Sequence, residues 1–507
     1  KNKLWVPIDR LICLQAAYPG ASCTPKLKVP TSHRIAWERE EAIVEIIRAR
    51  LSGVGPQTLS AIAQPLGMQE STVTSALVQL ETEGYVLRGR FMPGMPNDAA
   101  LEWCERHLLA RIHRYTIKRL RREIEPVESR DFMRFLFDWQ HLSPDSQLQG
   151  VGALPQIIAQ LEGFEAAAGA WESEVLPSRL GDYSAAWLDD LCRSGKIVWT
   201  RIARSIRASG GPVRTTGIVL LPRRNLGLWN ALPHLDEPPD VSARAKRVHE
   251  ALLQHGAMFF DELRVQAHLL QTELENALGE LVANGLVNAD SFAGLRALLI
   301  PTAKRATYDR RRRQGRAIPP SMEETGRWAP LRRSDADANP HTIPSTAAST
   351  KKPRTDPQVL EHIALVLLRR YGVVFWRLLE READWLPTWR ELLPVFHRLE
   401  ARGDIRGGRF VGGFAGEQFA LPEAIPLLRE VRKRPFDGSL VRISGVDPLN
   451  LAGTLLPGDK VPALTGNRIA FLDGVPVATM IAGKFQTLGD REVIDKERIR
   501  VALIGHR

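Results

Sequence analysis

The sequence predicts a mostly α fold with small β elements: tandem winged-helix modules followed by a C-terminal β-barrel-like module. Three observations carry that expectation. The phrase Leu-x-x-x-Gly-x-aliphatic occurs four times, at Leu80/Gly84/Val86, Leu191/Gly195/Ile197, Leu281/Gly285/Val287 and Leu399/Gly403/Ile405. Its Leu packs the last turn of a helix. Its Gly takes the left-handed position that ends a helix without a Cβ clash, and its aliphatic residue opens a strand. Next, three of the copies follow a two-helix unit, which is helix-turn-helix order. Lastly, the texture changes from about residue 438, where short aliphatic runs alternate with Asp-Pro, Pro-Gly-Asp, Gly-Asn and Asp-Gly turns.

After an N-terminal extension, 1–36, the first winged helix is expected over 37–125. Ile43, Ile46, Ile47 and Leu51 repeat at helical spacing. Gly55-Pro56 breaks the chain; Leu59, Ile62 and Ala63 face inward on a second helix; Val73, Leu77 and Leu80 line a third. Residues 126–235 read as a helical segment with a second winged helix. The third, 236–303, holds "RVHEALLQHGAMFFDEL" and then "LLQTELENALGELVANG". A linker is expected over 304–358, rich in proline and poor in periodicity. The fourth module, 359–437, holds "VLEHIALVLLRRYGVVFWRLLERE" and then "WRELLPVFHRLEARG", and 438–507 is the β module. The four glycines are unevenly spaced, so these are separate modules with insertions rather than a solenoid of fixed period.

The chain has 507 residues, 44% hydrophobic and 25% charged, and a net charge of +11. That is an ordinary globular composition with a basic surplus that suits a polyanion, nucleic acid first. No apolar run is long enough to cross a bilayer, so no membrane partner is expected. The chain starts at Lys1 rather than Met, as a fragment or processed piece would, and shows no signal peptide. Its four cysteines, Cys13, Cys23, Cys104 and Cys192, form no CxxC pair. A zinc site is not expected, and a reducing cytoplasm is. There is no GxxxxGK[ST], no DExD/H box, no HExxH and no GxSxG, so the chain is not expected to hydrolyse ATP by itself.

Two groups of side chains stand out. Residues 152–180 place Glu162, Glu165, Glu172 and Glu174 on what reads as an apolar, aromatic helix, with Glu162 and Glu165 near one face with Gly169 and Glu172. A carboxylate in such surroundings suits a general base. Alternatively these glutamates are solvated and pair with Arg179. Lys118, Arg119, Arg121 and Arg122 lie on a helix with Arg111, Arg114 and Tyr115, and Arg310, Arg311, Arg312 and Arg313 form a second basic run. Both are candidate phosphate contacts, or solvated faces.

Long phrases, among them "QLEGFEAAAGAWESEVLPSRL", "WLDDLCRSGKIVW", "RRYGVVFWRLLERE" and "DPLNLAGTLLPGDKVPA", resemble the C-terminal region of the bacterial large helicase-related (Lhr) family over most of 40–480. The resemblance implies a DNA-repair protein whose ATP-dependent 3′-to-5′ helicase core precedes this region. ATP and Mg belong to that core, so no cofactor is expected in this chain. It also implies an array of winged helices with a β-barrel, and assembly as a homo-oligomer. The region is further similar to winged-helix DNA glycosylases typified by AlkZ, which implies uracil excision. Their Gln-x-Gln or Gln-x-Asp motif aligns with Leu161-Glu162-Gly163-Phe164-Glu165, where Glu162 replaces the first Gln. Glu162 and Glu165 are then the candidate catalytic pair. Phe164 and Trp171 are candidates to stack on a flipped base, or core residues. Three functions stay open: a DNA-binding and oligomerisation region of a repair helicase acting on single-stranded or damaged DNA, a uracil-DNA glycosylase, and a protein-interaction scaffold.

Overall fold

The computed structural model describes residues 5–26, 28–31, 34–92, 100–122, 124–202, 213–232, 240–299, 322, 325–331, 355–488 and 496–504, without the Arg122 side chain. The chain divides into two units, Lys1–Glu123 and Ile124–Arg507.

In the first unit the helices Arg39–Leu51, Leu59–Leu66 and Glu70–Thr82 bury Ile43, Ile47, Leu51, Ile62, Val73, Leu77 and Leu80 in one core. Strands Gln57–Thr58, Val86–Gly89 and Glu102–Glu105 form an antiparallel sheet with the last strand in the middle. The same strand order, first–third–second, recurs three times in the second unit. The sheets are Ala166–Ala167, Gly217–Pro222 and Ile197–Thr200; Met258–Phe259, Arg327–Pro330 and Val287–Ala289; and Val373–Val374, Gln418–Ala420 and Arg406–Gly408. Each is preceded by helices in helix-turn-helix order, so four winged helices share one topology.

The repeated phrase has one physical cause. Gly84, Gly195, Gly285 and Gly403 have φ of 71°, 69°, 63° and 86°. In each copy the glycine N–H donates to the carbonyl three residues back, at 2.9 Å. The next N–H donates to the carbonyl of the repeated Leu, at 2.9 Å for Tyr85, 3.1 Å for Lys196, 2.9 Å for Leu286 and 3.0 Å for Asp404. This is the Schellman motif, which satisfies two carbonyls that a helix end otherwise leaves open.

Two expectations are revised. The helix read over 152–180 is broken: Leu154–Gln160 ends, a turn holds Glu162 and Gly163, and a strand at Ala166–Ala167 precedes Ala168–Ala170, a π turn at Trp171–Val175 and Leu176–Arg179. Gly163, at φ 72°, is the break. The expected linker 304–358 contains the strand Arg327–Pro330, which completes the third sheet and buries Trp328 fully. That strand is far in sequence from its partner Val287–Ala289, so its sequence carries no local pairing signal.

The C-terminal module is an antiparallel meander of Leu440–Ser444, Arg468–Leu472, Val475–Ile481 and Lys484–Thr487 in sequence order. The helix Lys496–Ile504 covers one face, burying Ile499 and Leu503 against Ala470, Val477 and Ala478. Among the described residues this sheet does not close into a barrel.

Among the described residues, no atom lies within 4 Å of where a Cβ on Gly84 would sit. Gly84→Val therefore tests the left-handed cap alone. We expect a loss of roughly 1–2 kcal/mol for a non-glycine residue held there, read as a lower melting temperature of the first unit. Gly84→Asn is expected to lose less, because Asn tolerates this conformation. Equal melting of Gly84→Val and wild type would remove the cap argument.

Candidate functional site

The turn after Leu154–Gln160 carries both glutamates into the contact between the second and fourth winged helices. Glu162 is fully buried. Its carboxylate accepts from Asn225 Nδ2 at 2.9 and 3.0 Å, from Trp229 Nε1 at 2.9 Å and from His362 Nε2 at 2.8 Å. Its backbone carbonyl accepts from the buried Arg370 guanidinium. Arg370 also pairs with Glu382, whose carboxylate accepts from Tyr371 Oη at 2.7 Å. Burial alone would push the Glu162 carboxyl up. The hydrogen bonds from His362, Trp229 and Asn225 outweigh it and hold Glu162 below its ordinary value.

Gly163 makes this arrangement possible. A Cβ there would meet Trp229 Cη2 at 2.1 Å. The Trp229 indole thus occupies the space a side chain on residue 163 would need, and its N–H donates to the neighbouring carboxylate.

Glu165 sits differently. It is half-buried, and its Oε2 accepts from Trp385 Nε1 at 2.5 Å. Its other oxygen crowds Gly217, where a Cβ would lie 2.0 Å away. Burial pulls the Arg201 guanidinium down from its ordinary value, and the Glu165 charge opposes that pull. The indoles of Trp229 and Trp385 meet edge-on at 6.0 Å. Two carboxylates are thus bridged by two touching indoles, each donating its N–H to one of them.

The other sequence-predicted residues fall elsewhere. Phe164 and Trp171 are buried and touch edge-on at 6.5 Å, and Trp171 Nε1 donates to the Ile218 carbonyl at 3.2 Å. Both rings are core, so neither is presented to a base; Trp385 is the half-buried aromatic beside a carboxylate. Glu172 accepts from Arg296 at 2.7 Å and from Tyr183 at 2.7 Å, and Glu174 accepts from the Gly466 N–H at 3.0 Å. Arg179 is not their partner: fully buried, it pairs with Asp447 at 2.7 and 3.0 Å and with Gln140 at 2.7 Å. Lys118 and Arg119 are exposed and Arg121 half-exposed on the helix Arg106–Arg122, while the Arg122 side chain and all of Arg310–Arg313 lie outside the described residues.

Sequence reasoning missed Asn225, Trp229, His362, Arg370 and Trp385. Trp229, His362 and Arg370 lie on helices and Asn225 and Trp385 in or beside turns, and nothing local in the sequence says what they face. Among the described residues no three His, Cys, Asp or Glu side chains converge as a metal site would require, and no helix is long and apolar enough to cross a membrane.

Because Trp229 can only donate, an amide in place of Glu162 offers a donor where donors already converge. We expect Glu162→Gln to lower the melting temperature, since breaking a buried charged network costs on the order of 3–5 kcal/mol. The sign with pH follows from a depressed folded value. The contribution of Glu162 is fully present above its unfolded value of about 4.3. It is lost as acidification passes that value towards the folded one. Wild type is therefore expected to lose more stability than Glu162→Gln over that interval in acid-unfolding titrations. Parallel curves would remove Glu162 as an acid-sensitive group.

Comparison with known proteins shows what the chain is similar to. Residues 127–223 and residues 353–440 each match a model described as the large helicase-related protein, winged-helix domain. These are the second and fourth modules, which meet at Glu162. A protein of Mycolicibacterium smegmatis named "Lhr helicase/ probable uracil glycosylase" is 27% identical over 448 residues, 83% of this chain and 27% of that protein. One of Escherichia coli named "Lhr helicase/uracil glycosylase" is 24% identical over 484 residues, 90% of this chain and 30% of that protein. The chain thus spans less than a third of the length of these curated relatives. The second and fourth winged helices thus match winged-helix domains of the large helicase-related protein, and most of the chain is similar to proteins named Lhr helicase.

Proposed function

We propose that this chain is a cytoplasmic DNA-binding region of a DNA-repair helicase, and that it serves the helicase by holding DNA. The observation that carries the reading is the helix Arg106–Arg122. It is exposed along nearly its whole length, displays Arg106, Arg111, Arg114, Lys118 and Arg119, and leaves Tyr115 69% exposed. A helix that buries so little is not explained by packing, and cations around an exposed aromatic suit a nucleic-acid backbone with its bases. The net charge of +11 and the relatedness to helicases support the same reading. The homo-oligomer that the resemblance implies is proposed with it, and sedimentation of the chain as a monomer alone would remove that part.

The second reading is uracil excision at Glu165. What favours it is the contrast between the two glutamates. Glu162 has its carboxylate filled by protein donors, whereas Glu165 is half-buried beside a half-buried indole, and both relatives carry uracil glycosylase in their names. In this reading water attacks the sugar C1′ as the bond to uracil breaks. Glu165 takes the water proton, the departing base anion is protonated from solvent, and Trp385 orients the carboxylate.

Two measurements separate these readings. Replacing Lys118, Arg119 and Arg121 by Gln is expected to weaken binding similarly on unrelated single strands, and to reduce the log–log salt slope by roughly 0.7 per lost contact. An unchanged slope would make this helix a solvated face. For the enzyme reading, Glu165→Gln is expected to reduce excision from uracil-containing single strands by roughly 10²–10⁴ with DNA affinity unchanged. Excision by Glu165→Gln at the wild-type rate would place the chemistry elsewhere. No excision by wild type would leave the binding reading alone standing.

A further inference from the structure

A winged helix presents DNA with the third helix of its helix-turn-helix and with its wing. The four third helices differ sharply in what they carry. In the first, Glu70–Thr82 has no Lys or Arg, and its charges are Glu70 and Glu81. In the second, Ala185–Arg193 commits Asp189 to Arg296 at 2.9 Å, and its single cation, Arg193, pairs with Asp190 at 3.2 Å. In the third, Gln271–Ala283 has no Lys or Arg and buries most of its circumference, with Glu280 accepting from the Ser242 N–H and Oγ at 2.6 and 2.7 Å. These three helices offer a polyanion nothing.

The fourth is the reverse. Trp389–Arg402 buries Leu392, Val395, Phe396 and Leu399 on one side and exposes Arg390, Pro394, His397, Arg398, Ala401 and Arg402 on the other. The strand and turn that follow expose Arg406 and Arg409. The acids nearby are already engaged. Glu391 caps the helix by accepting from the Thr388 N–H at 2.8 Å, Asp404 pairs with Arg402 at 2.8 Å, and Glu417 with His397 at 2.5 Å. Arg390, Arg398, Arg406 and Arg409 have no ion pair or hydrogen-bond acceptor among the described residues. Four unneutralised guanidinia on one helix face and its wing repel one another, and that cost is relieved by an anion lattice. Arg390 and Arg398 are separated by about 12 Å along the helix, at 1.5 Å per residue.

We infer that duplex DNA docks on the fourth winged helix, with Arg390 and Arg398 of the third helix and Arg406 and Arg409 of the wing on backbone phosphates. This rests on the DNA-binding reading and sharpens it to one module of the four. Duplex is the occupant because a helix face and a wing, offset from each other, match a groove and its flanking backbone.

The test is a salt titration of the whole chain on a duplex and on a single strand of equal length. The variants are Arg390→Gln, Arg398→Gln, Arg406→Gln and Arg409→Gln together, and the same four positions changed to Lys. The Gln variant should melt like wild type, since the replaced groups are exposed and unpaired. It is expected to lose roughly 0.9 of log–log slope on the duplex for each phosphate contact removed, with a much smaller loss on the single strand. The Lys variant should keep the slope, because an ammonium serves a phosphate as a point charge. Wild type that binds no DNA would overturn the DNA-binding reading itself. Wild type that binds, with the Gln variant keeping its duplex slope, would overturn this inference and leave that reading intact. Equal losses on both strands would overturn the assignment to duplex.

Discussion

The second unit depends on a carboxylate that no water reaches. Glu162 lies in a turn of the second winged helix, and the donors that satisfy it come from two directions: Asn225 and Trp229 after the second module's sheet, and His362 from the first helix of the fourth. A charge of this kind is tolerated only when it is paired and hydrogen-bonded, since desolvating an unpaired carboxylate costs several kcal/mol. The seam between the modules is therefore specified by geometry and not by apolar area alone. The same turn adds a second tie, because the Glu162 carbonyl accepts from Arg370, itself neutralised by Glu382. A sliding of one module against the other would strand a carboxylate and a guanidinium together.

A parallel device holds the meander. Arg179, fully buried at the end of the second module's second helix, meets Asp447 in the turn that follows the first meander strand. Gln140 accepts from Arg179 Nη2 at 2.7 Å while donating to the Arg370 carbonyl at 2.7 Å. The two buried arginines are thereby linked through one amide. Segments far apart in sequence share one polar framework, which fits their falling within a single unit.

What was legible in the sequence follows from the range of each interaction. The four helix ends were legible because a Schellman turn closes within six residues, and its glycine is demanded by local backbone sterics. The winged-helix order was legible for the same reason, helix by helix. The environment of Glu162 was not, because Asn225, Trp229 and His362 are distant in sequence and nothing local announces that they converge. The helix expected over 152–180 failed at Gly163. A Cβ on that glycine would meet Trp229, a residue distant in sequence. Phe164 and Trp171 were ambiguous between stacking and core, and burial decided for core.

Charge was legible as a total and illegible as a pattern. A net +11 suggests a polyanion without saying where it sits. The buried guanidinia of Arg179 and Arg370 contribute to that total yet are unavailable to any ligand, having been matched to Asp447 and Glu382. What remains for a partner is the exposed remainder. Among the described residues, part of it lies on the Arg106–Arg122 helix in the first unit and part on the Trp389–Arg402 helix with its wing in the second. The recognition-position helices of the first three modules carry acids or are buried, although they share the fourth module's strand order. One topology thus serves two ends in this chain. Where the third helix is apolar on most sides it builds the core, and where it keeps an open cationic face it is free to meet a charged polymer.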